Sequence, residues 1–318
     1  MVLGVVFAIA VLISGIALLT FASDKAVEHS VHFASALGIS SLMIGLMLVS
    51  IGTDLPEIAN SIVACSSGEG NIDVGDSIGS ILTQMTLILG LITFLGRKFN
   101  VKRKEVLVIG VFQVLALVLA IFVALSGFTR LKAFLLIVSW PVFLFIIKKM
   151  TSRTVVKRKE ANSQRHEHYL FHFVIAAVSY IGVAIGAVAV VQSVIMLSDG
   201  LGIPKFFISF FVLAIGTSLP ELVVDLTAIR KRQYELAIGD IIGSCIVDAT
   251  VSISIGQLLF PTEVFYESPA HSIPLALYAV IASVVVISAL TVRGKVDRKA
   301  GVLFIIVYSV AYILLYVI

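Results

Sequence analysis

Long runs without a charged side chain set the pattern of this chain. No Asp, Glu, Lys or Arg occurs in 1–23, 106–129, 133–147, 169–198 or 300–318. Each run is near or above the roughly 18 apolar residues that mark a membrane-spanning helix. Divided at the polar interruptions, the apolar stretches predict ten helices, near 2–22, 36–64, 73–95, 104–126, 132–149, 168–197, 204–229, 235–260, 270–291 and 299–318. The first run lacks the basic start of a signal peptide and many more follow it, so it reads as a helix of the mature protein. The longest hydrophilic stretch, 150–167, follows the fifth helix and reads as a linker too short to fold by itself.

Charge orients these helices. Twenty of the 23 basic residues fall in the loops after helices 1, 3, 5, 7 and 9, and only Arg130, Lys132 and Lys205 fall on the other face. Basic residues concentrate on the cytoplasmic side. The linker is therefore expected inside, and both termini outside, a cell membrane. Composition agrees: 59% of the residues are hydrophobic and 13% charged, with mean hydropathy +1.10, against about 25% charged in soluble domains. The net charge of +4 then reports orientation and not nucleic-acid binding. Cys65 and Cys245 lie in apolar surroundings and imply no disulfide framework.

An internal repeat organises the chain. GTDLPE at 52–57 returns as GTSLPE at 216–221, and GDSIGS at 75–80 returns as GDIIGS at 239–244, both offset by 164. One duplicated unit explains both matches. Each unit carries five predicted spans, an odd number, so the second half enters the membrane from the opposite side. Inverted repeats of this kind belong to secondary transporters with midplane sites. The expected architecture is an all-α integral membrane protein: ten transmembrane helices in two inverted five-helix repeats, 1–149 and 168–318, joined by the basic linker 150–167.

The repeated segments carry oxygen. Thr53 and Glu57 share a helix face, as do Thr217 and Glu221. Asp54 sits beside the first pair and Ser218 beside the second. Further on, Ser80 with Gln84 corresponds to Ser244 with Asp248. Pro56 and Pro220 have no N–H, which frees the carbonyls of Gly52 and Gly216. Ionisable groups at membrane depth are costly, and a buried ion pair would need a basic partner that these segments lack. Carboxylates, hydroxyls and freed carbonyls make an oxygen cage suited to a hard cation; no His or Cys stands at ligand spacing. Asp76 and Asp240 follow glycines and read as helix caps. Asp225, opposite Ser61, reads as a group behind the cage or near water. The six histidines read as interfacial.

With these residues the chain resembles the cation/Ca²⁺ exchanger superfamily, and within it the Na⁺/Ca²⁺ exchangers of prokaryotic type. GTDLPE…GDSIGSILTQ and GTSLPE…GDIIGSCIVD are similar to that family's paired α-repeats, with 23 residues from Glu57 to Ser80 and again from Glu221 to Ser244. The resemblance implies that Glu57 and Glu221 are central Ca²⁺ ligands. It implies that Thr53, Thr217, Ser218, Ser80, Ser244 and Asp248, with the carbonyls of Ser50 and Ala214, line the Na⁺ and Ca²⁺ sites. It also implies that helices 1 and 6 slide over the others to alternate access. Two positions depart from the usual pattern. Asp54 stands where serine is usual, and Gln84 where asparagine or aspartate is. Glutamine there is more like the H⁺/Ca²⁺ antiporters, whose GNAVE-like segments this chain lacks. Na⁺-driven Ca²⁺ antiport is the expected function; an H⁺-coupled, K⁺-dependent or other divalent-cation antiporter is the alternative, ahead of a channel. Neither a phosphate-binding loop nor an H-E-x-x-H or G-x-S-x-G motif occurs, which argues against a pump or an enzyme. The expected partners are Ca²⁺, Na⁺ and lipid, with no organic cofactor, nucleic acid or obligatory protein partner.

Overall fold

In lipid a backbone must satisfy its own polar groups, and a single apolar segment does so as a helix. The computed structural model describes residues 2–37, 40–95, 98–151, 169–198, 210, 214–264 and 269–317. Their helices are α1 (Val2–Leu37), α2 (Ser41–Thr53), α3 (Leu55–Ser66), α4 (Gly70–Leu95), α5 (Arg103–Leu125), α6 (Arg130–Met150), α7 (Tyr169–Ser198), α8 (Ala214–Thr217), α9 (Leu219–Arg230), α10 (Tyr234–Leu259), α11 (Pro269–Arg293) and α12 (Arg298–Val317). Two short strands, β1 (Phe99–Asn100) and β2 (Lys295–Val296), pair antiparallel, Phe99 opposite Val296. Among the described residues six helices are long and apolar enough to cross a membrane: α4, α5, α6, α10, α7 over Tyr169–Gly186 and α11 over Ser272–Arg293. The pair α2 and α3, bent by 45°, makes a seventh if it forms one span.

The core lies around α4 and α10. Within their apolar windows 78% and 94% of residues are buried, against 28% in α6 and α7. Phe122, Phe145 and Val292 on outer helices stand exposed where lipid would cover them. Helix α2 crosses α10 at close range. A Cβ on Gly45 would collide with the Leu236 carbonyl oxygen, and one on Gly239 with the Leu42 carbonyl oxygen. Only glycine permits backbones to meet this closely, and the crossing brings Thr53 to α10.

Several helix boundaries differ from expectation. The first helix runs to Leu37 instead of ending near 22, because its buried face continues along α7: Ala26 and Val27 are buried, and Ser30 Oγ lies 3.1 Å from the Tyr180 hydroxyl. Lys25 therefore sits on a helix and not in a loop, paired with Glu28 at 3.2 Å. Three histidines gather at this contact, with His29 Nδ1 3.0 Å from His172 Nδ1 and His32 stacked on His172. The second predicted helix starts at Ser41, not 36, and breaks at Asp54. Helix α4 starts at Gly70 and α10 at Tyr234, so Asp76 and Asp240 lie well inside them. Neither caps a helix. Residues 152–167 of the linker, Lys205, and the start of the seventh predicted helix lie outside the described residues.

Candidate cation site

The site grows from the two broken helices. Pro56 and Pro220 each occupy the first turn of a helix, where the missing N–H costs nothing. The residue that joins the two pieces is Asp54 in one half, at φ −79° and ψ 6°, and Ser218 in the other, at φ −81° and ψ 8°. Neither side chain caps the helix it precedes. Both are therefore left for other partners, and both are fully buried. The N-termini of α3 and α9, which carry partial positive charge, open at the same place.

Three carboxylates converge there. Asp54, Glu57 and Glu221 each offer an oxygen within 4.8 Å of the other two. Ca²⁺ bonds oxygen at about 2.3–2.6 Å, so ligands on opposite sides of one ion stand about 4.6–5.2 Å apart. Three oxygens all within 4.8 Å of one another are close enough to ligate one such ion. None of the six carboxylate oxygens receives a hydrogen bond, and Ser218 Oγ lacks a partner too. The Asp54 and Glu221 carboxyls lie close enough to share a proton, but as two carboxylates neither has a donor to offer. Buried charges persist when paired or bound to metal. The ion pairs among the described residues, such as Lys102–Glu235 and Arg293–Asp297, involve none of these carboxylates.

Four of the hydroxyls expected at the site form two reciprocal groups. Thr53 Oγ1 lies 3.3 Å from Ser244 Oγ and 3.4 Å from Asp240 Oδ1. Thr217 Oγ1 lies 3.4 Å from Ser80 Oγ and donates to Asp76 Oδ1 at 3.2 Å. Thr53 of the first half thus meets second-half residues, and Thr217 of the second half meets first-half ones. The Ser50 carbonyl accepts the Asp54 N–H at 3.0 Å, and the Ala214 carbonyl accepts the Ser218 N–H at 3.2 Å. Each carbonyl also has a threonine hydroxyl in reach on its second lone pair, Thr53 Oγ1 at 3.2 Å from the Ser50 oxygen and Thr217 Oγ1 at 3.5 Å from the Ala214 oxygen.

Gln84 and Asp248 lie in π-helical turns, Thr83–Ile88 in α4 and Asp248–Ser252 in α10. In each turn a threonine, Thr86 or Thr250, donates to the carbonyl four residues back. Gln84 Nε2 donates to Asp248 Oδ2 at 3.1 Å, leaving Asp248 Oδ1 without a donor.

Sequence reasoning undervalued Asp76, Asp240 and Asp225. All three are buried. Asp76 Oδ2 accepts from Asn60 Nδ2 at 2.6 Å as well as from Thr217.

The pattern of the family described as sodium/calcium exchanger protein matches residues 7–149 and 171–317. The chain belongs to that family. Among the exchanger's relatives, an uncharacterized membrane protein of Methanocaldococcus jannaschii is 29% identical over 299 residues, 93% of this chain and 94% of that one. Sodium/calcium exchanger MaX1 of Methanosarcina acetivorans is 25% identical over 344 residues, covering 96% and 97%. Among solved structures, the sodium-calcium exchanger NCX_Mj soaked with Na⁺ and Sr²⁺ superposes with a TM-score of 0.78 at 27% identity, covering 97% of this chain and 98% of that one. The exchanger is thus a multi-pass membrane protein of a transport family.

Proposed function

We propose that this exchanger moves Ca²⁺ out of the cell in return for Na⁺ by alternating access, with both ions using one cage. The observation that carries this reading is the convergence of Asp54, Glu57 and Glu221, all buried and all without donors. Glu57 and Glu221 act as the central Ca²⁺ ligands, joined by Asp54. Thr53, Thr217, Ser218, Ser80, Ser244 and Asp248, with Gln84 and the carbonyls of Ser50 and Ala214, complete the Na⁺ and Ca²⁺ positions. Residues 1–149 and 168–318 form two inverted five-span halves, with 150–167 in the cytoplasm and both termini outside. The matching dihedrals at Asp54 and Ser218 and the reciprocal hydroxyl groups support that symmetry. Helices α1 and α7, packed along one another at the edge of the bundle, slide over the rest to expose the cage to either side.

Energy bounds the exchange ratio. Moving Ca²⁺ outward against a 10⁴-fold gradient costs about 5.5 kcal/mol, and its two charges add about 4.6 kcal/mol at 100 mV. One Na⁺ entering down a tenfold gradient returns about 3.7 kcal/mol at that voltage. Three Na⁺ suffice under these gradients and two do not.

The glutamine at position 84, which can donate to Asp248 or accept from its protonated form, keeps H⁺ coupling as the second reading. Ca²⁺ flux in sealed proteoliposomes, with Na⁺, H⁺ and K⁺ gradients imposed one at a time, separates the two. Uptake driven by Na⁺ alone supports the first reading. Uptake driven only by H⁺ supports the second. Ca²⁺ leak without any counter-ion gradient would make the chain a channel.

A further inference from the structure

On the second-half side of the cage two more carboxylates face each other. Asp225 lies one turn beyond Glu221 on α9, fully buried, and neither of its oxygens receives a hydrogen bond. It lies against Asp240 of α10, close enough for the two carboxyls to bond if a proton lay between them. Asp240 Oδ2 also lacks a donor, while Oδ1 has Thr53 Oγ1 at 3.4 Å and Ser244 Oγ at 3.5 Å.

The first half builds the corresponding place differently. At the repeat offset of 164, Asp76 matches Asp240 and Ser61 matches Asp225. Asp76 is satisfied by the Asn60 amide at 2.6 Å and the Thr217 hydroxyl at 3.2 Å. Ser61 Oγ accepts the Gly256 N–H at 3.1 Å. The same frame thus holds one aspartate among donors in one half, and two aspartates with three orphan oxygens in the other. A desolvated carboxylate pair needs positive charge between its members, and the ion pairs among the described residues bring no Lys or Arg to it.

We propose that Asp225 and Asp240 seat a second hard cation, apart from the one held by Asp54, Glu57 and Glu221, with the Thr53 and Ser244 hydroxyls at its edge. The oxygen-only donor set selects ions of the Ca²⁺ and Na⁺ kind over soft metals. Because those two hydroxyls also border the central cage, the seat rests on the reading of that cage as a cation site.

Equilibrium dialysis of the purified full chain against ⁴⁵Ca²⁺, and separately against ²²Na⁺, tests the proposal. Asp225→Asn puts an amide opposite Asp240, as Asn60 stands opposite Asp76, so the fold should hold; Asp240→Asn is the second variant. Each should bind one ion fewer than the wild type. A loss in the ⁴⁵Ca²⁺ arm assigns the seat to a divalent ion, and a loss in the ²²Na⁺ arm alone to a monovalent one. Wild-type counts in both arms for a folded variant would overturn the proposal and leave the pair sharing a proton. Glu57→Gln, run in parallel, should lose the central ion and keep this one. Undiminished binding by Glu57→Gln, with one ion lost in Asp225→Asn, would instead sink the central reading.

Discussion

Replacing Asp54 with serine, the residue that stands at the matching position 218, should move two measurements in opposite directions. In the cation-free protein the Asp54 carboxylate repels those of Glu57 and Glu221, with oxygens within 4.8 Å. At that distance and an effective dielectric constant near 20, each pair of unit charges is worth about 3.5 kcal/mol, so Asp54→Ser removes about 7 kcal/mol of gross repulsion. The favourable dipole of α3 on the lost charge opposes this by only about 0.3–1 kcal/mol. Water and proton uptake already relieve part of the repulsion, so a net gain of a few kcal/mol is expected. Chains of about 150–250 residues shift by roughly 2–4 °C per kcal/mol, so the Tm in chelator should rise by several degrees. Ca²⁺ stabilisation should shrink at the same time. An ion present at 100 times its Kd stabilises by about 2.7 kcal/mol; if the lost ligand weakens binding a hundredfold, about 0.4 kcal/mol remains. Thermal unfolding in detergent, with chelator and then with Ca²⁺, reads both quantities. A lower Tm in chelator would show that the Asp54 carboxylate is stabilised by neighbours in the empty protein, and an unchanged Ca²⁺ increment would show that it is no ligand. Either result would refute the reasoning. Asp54→Asn, closer in shape, separates loss of charge from loss of volume.

Three further outcomes are expected. Glu57→Gln and Glu221→Gln each keep shape while removing a charged ligand, so each should abolish Ca²⁺ flux in proteoliposomes while eluting as folded protein; wild-type flux in either would put the cage elsewhere. In sealed right-side-out vesicles, external protease should spare 150–167 and cut a tag at either terminus, and cleavage within 150–167 would reverse the assigned orientation. Asp297 accepts the Ala300 N–H at 3.0 Å and pairs with Arg293 at 2.6 Å, contacts that hold its carboxyl below the usual range. A carboxyl lowered in this way stabilises the fold above its unfolded value near 4 and loses that contribution as pH falls through the folded one. Asparagine caps a helix as well as aspartate does, so Asp297→Asn should cost only the screened charge contribution, about 0.3–1 kcal/mol at neutral pH and less at pH 3, read from Tm against pH; an equal cost at both would remove the charge from the explanation.

Much of this protein was written locally and so was legible in the sequence. The freed carbonyls of Gly52 and Gly216 follow from Pro56 and Pro220, because a missing N–H acts on its own turn whatever surrounds it; that the helices part there, at Asp54 and Ser218, was not expected. The offset of 164 needed no structure, and the charge-free runs named the solvent as lipid. What side chains meet across the bundle was not local. Thr53 reaches Ser244 and Asp240, Thr217 reaches Ser80 and Asp76, and Gln84 reaches Asp248, over separations of 137 to 191 residues. Those contacts depend on how closely α2 and α10 cross, which Gly45 and Gly239 allow but do not dictate. The length of α1 was misjudged for the same reason: charges at Asp24, Lys25 and Glu28 look like a helix end until α7 supplies a face for Ala26 and Val27 to bury against. Asp76 and Asp240 looked like caps because each follows a glycine. Tertiary structure alone turned them inward, since only the neighbouring helices decide whether a carboxylate inside a helix meets water, a donor or another carboxylate.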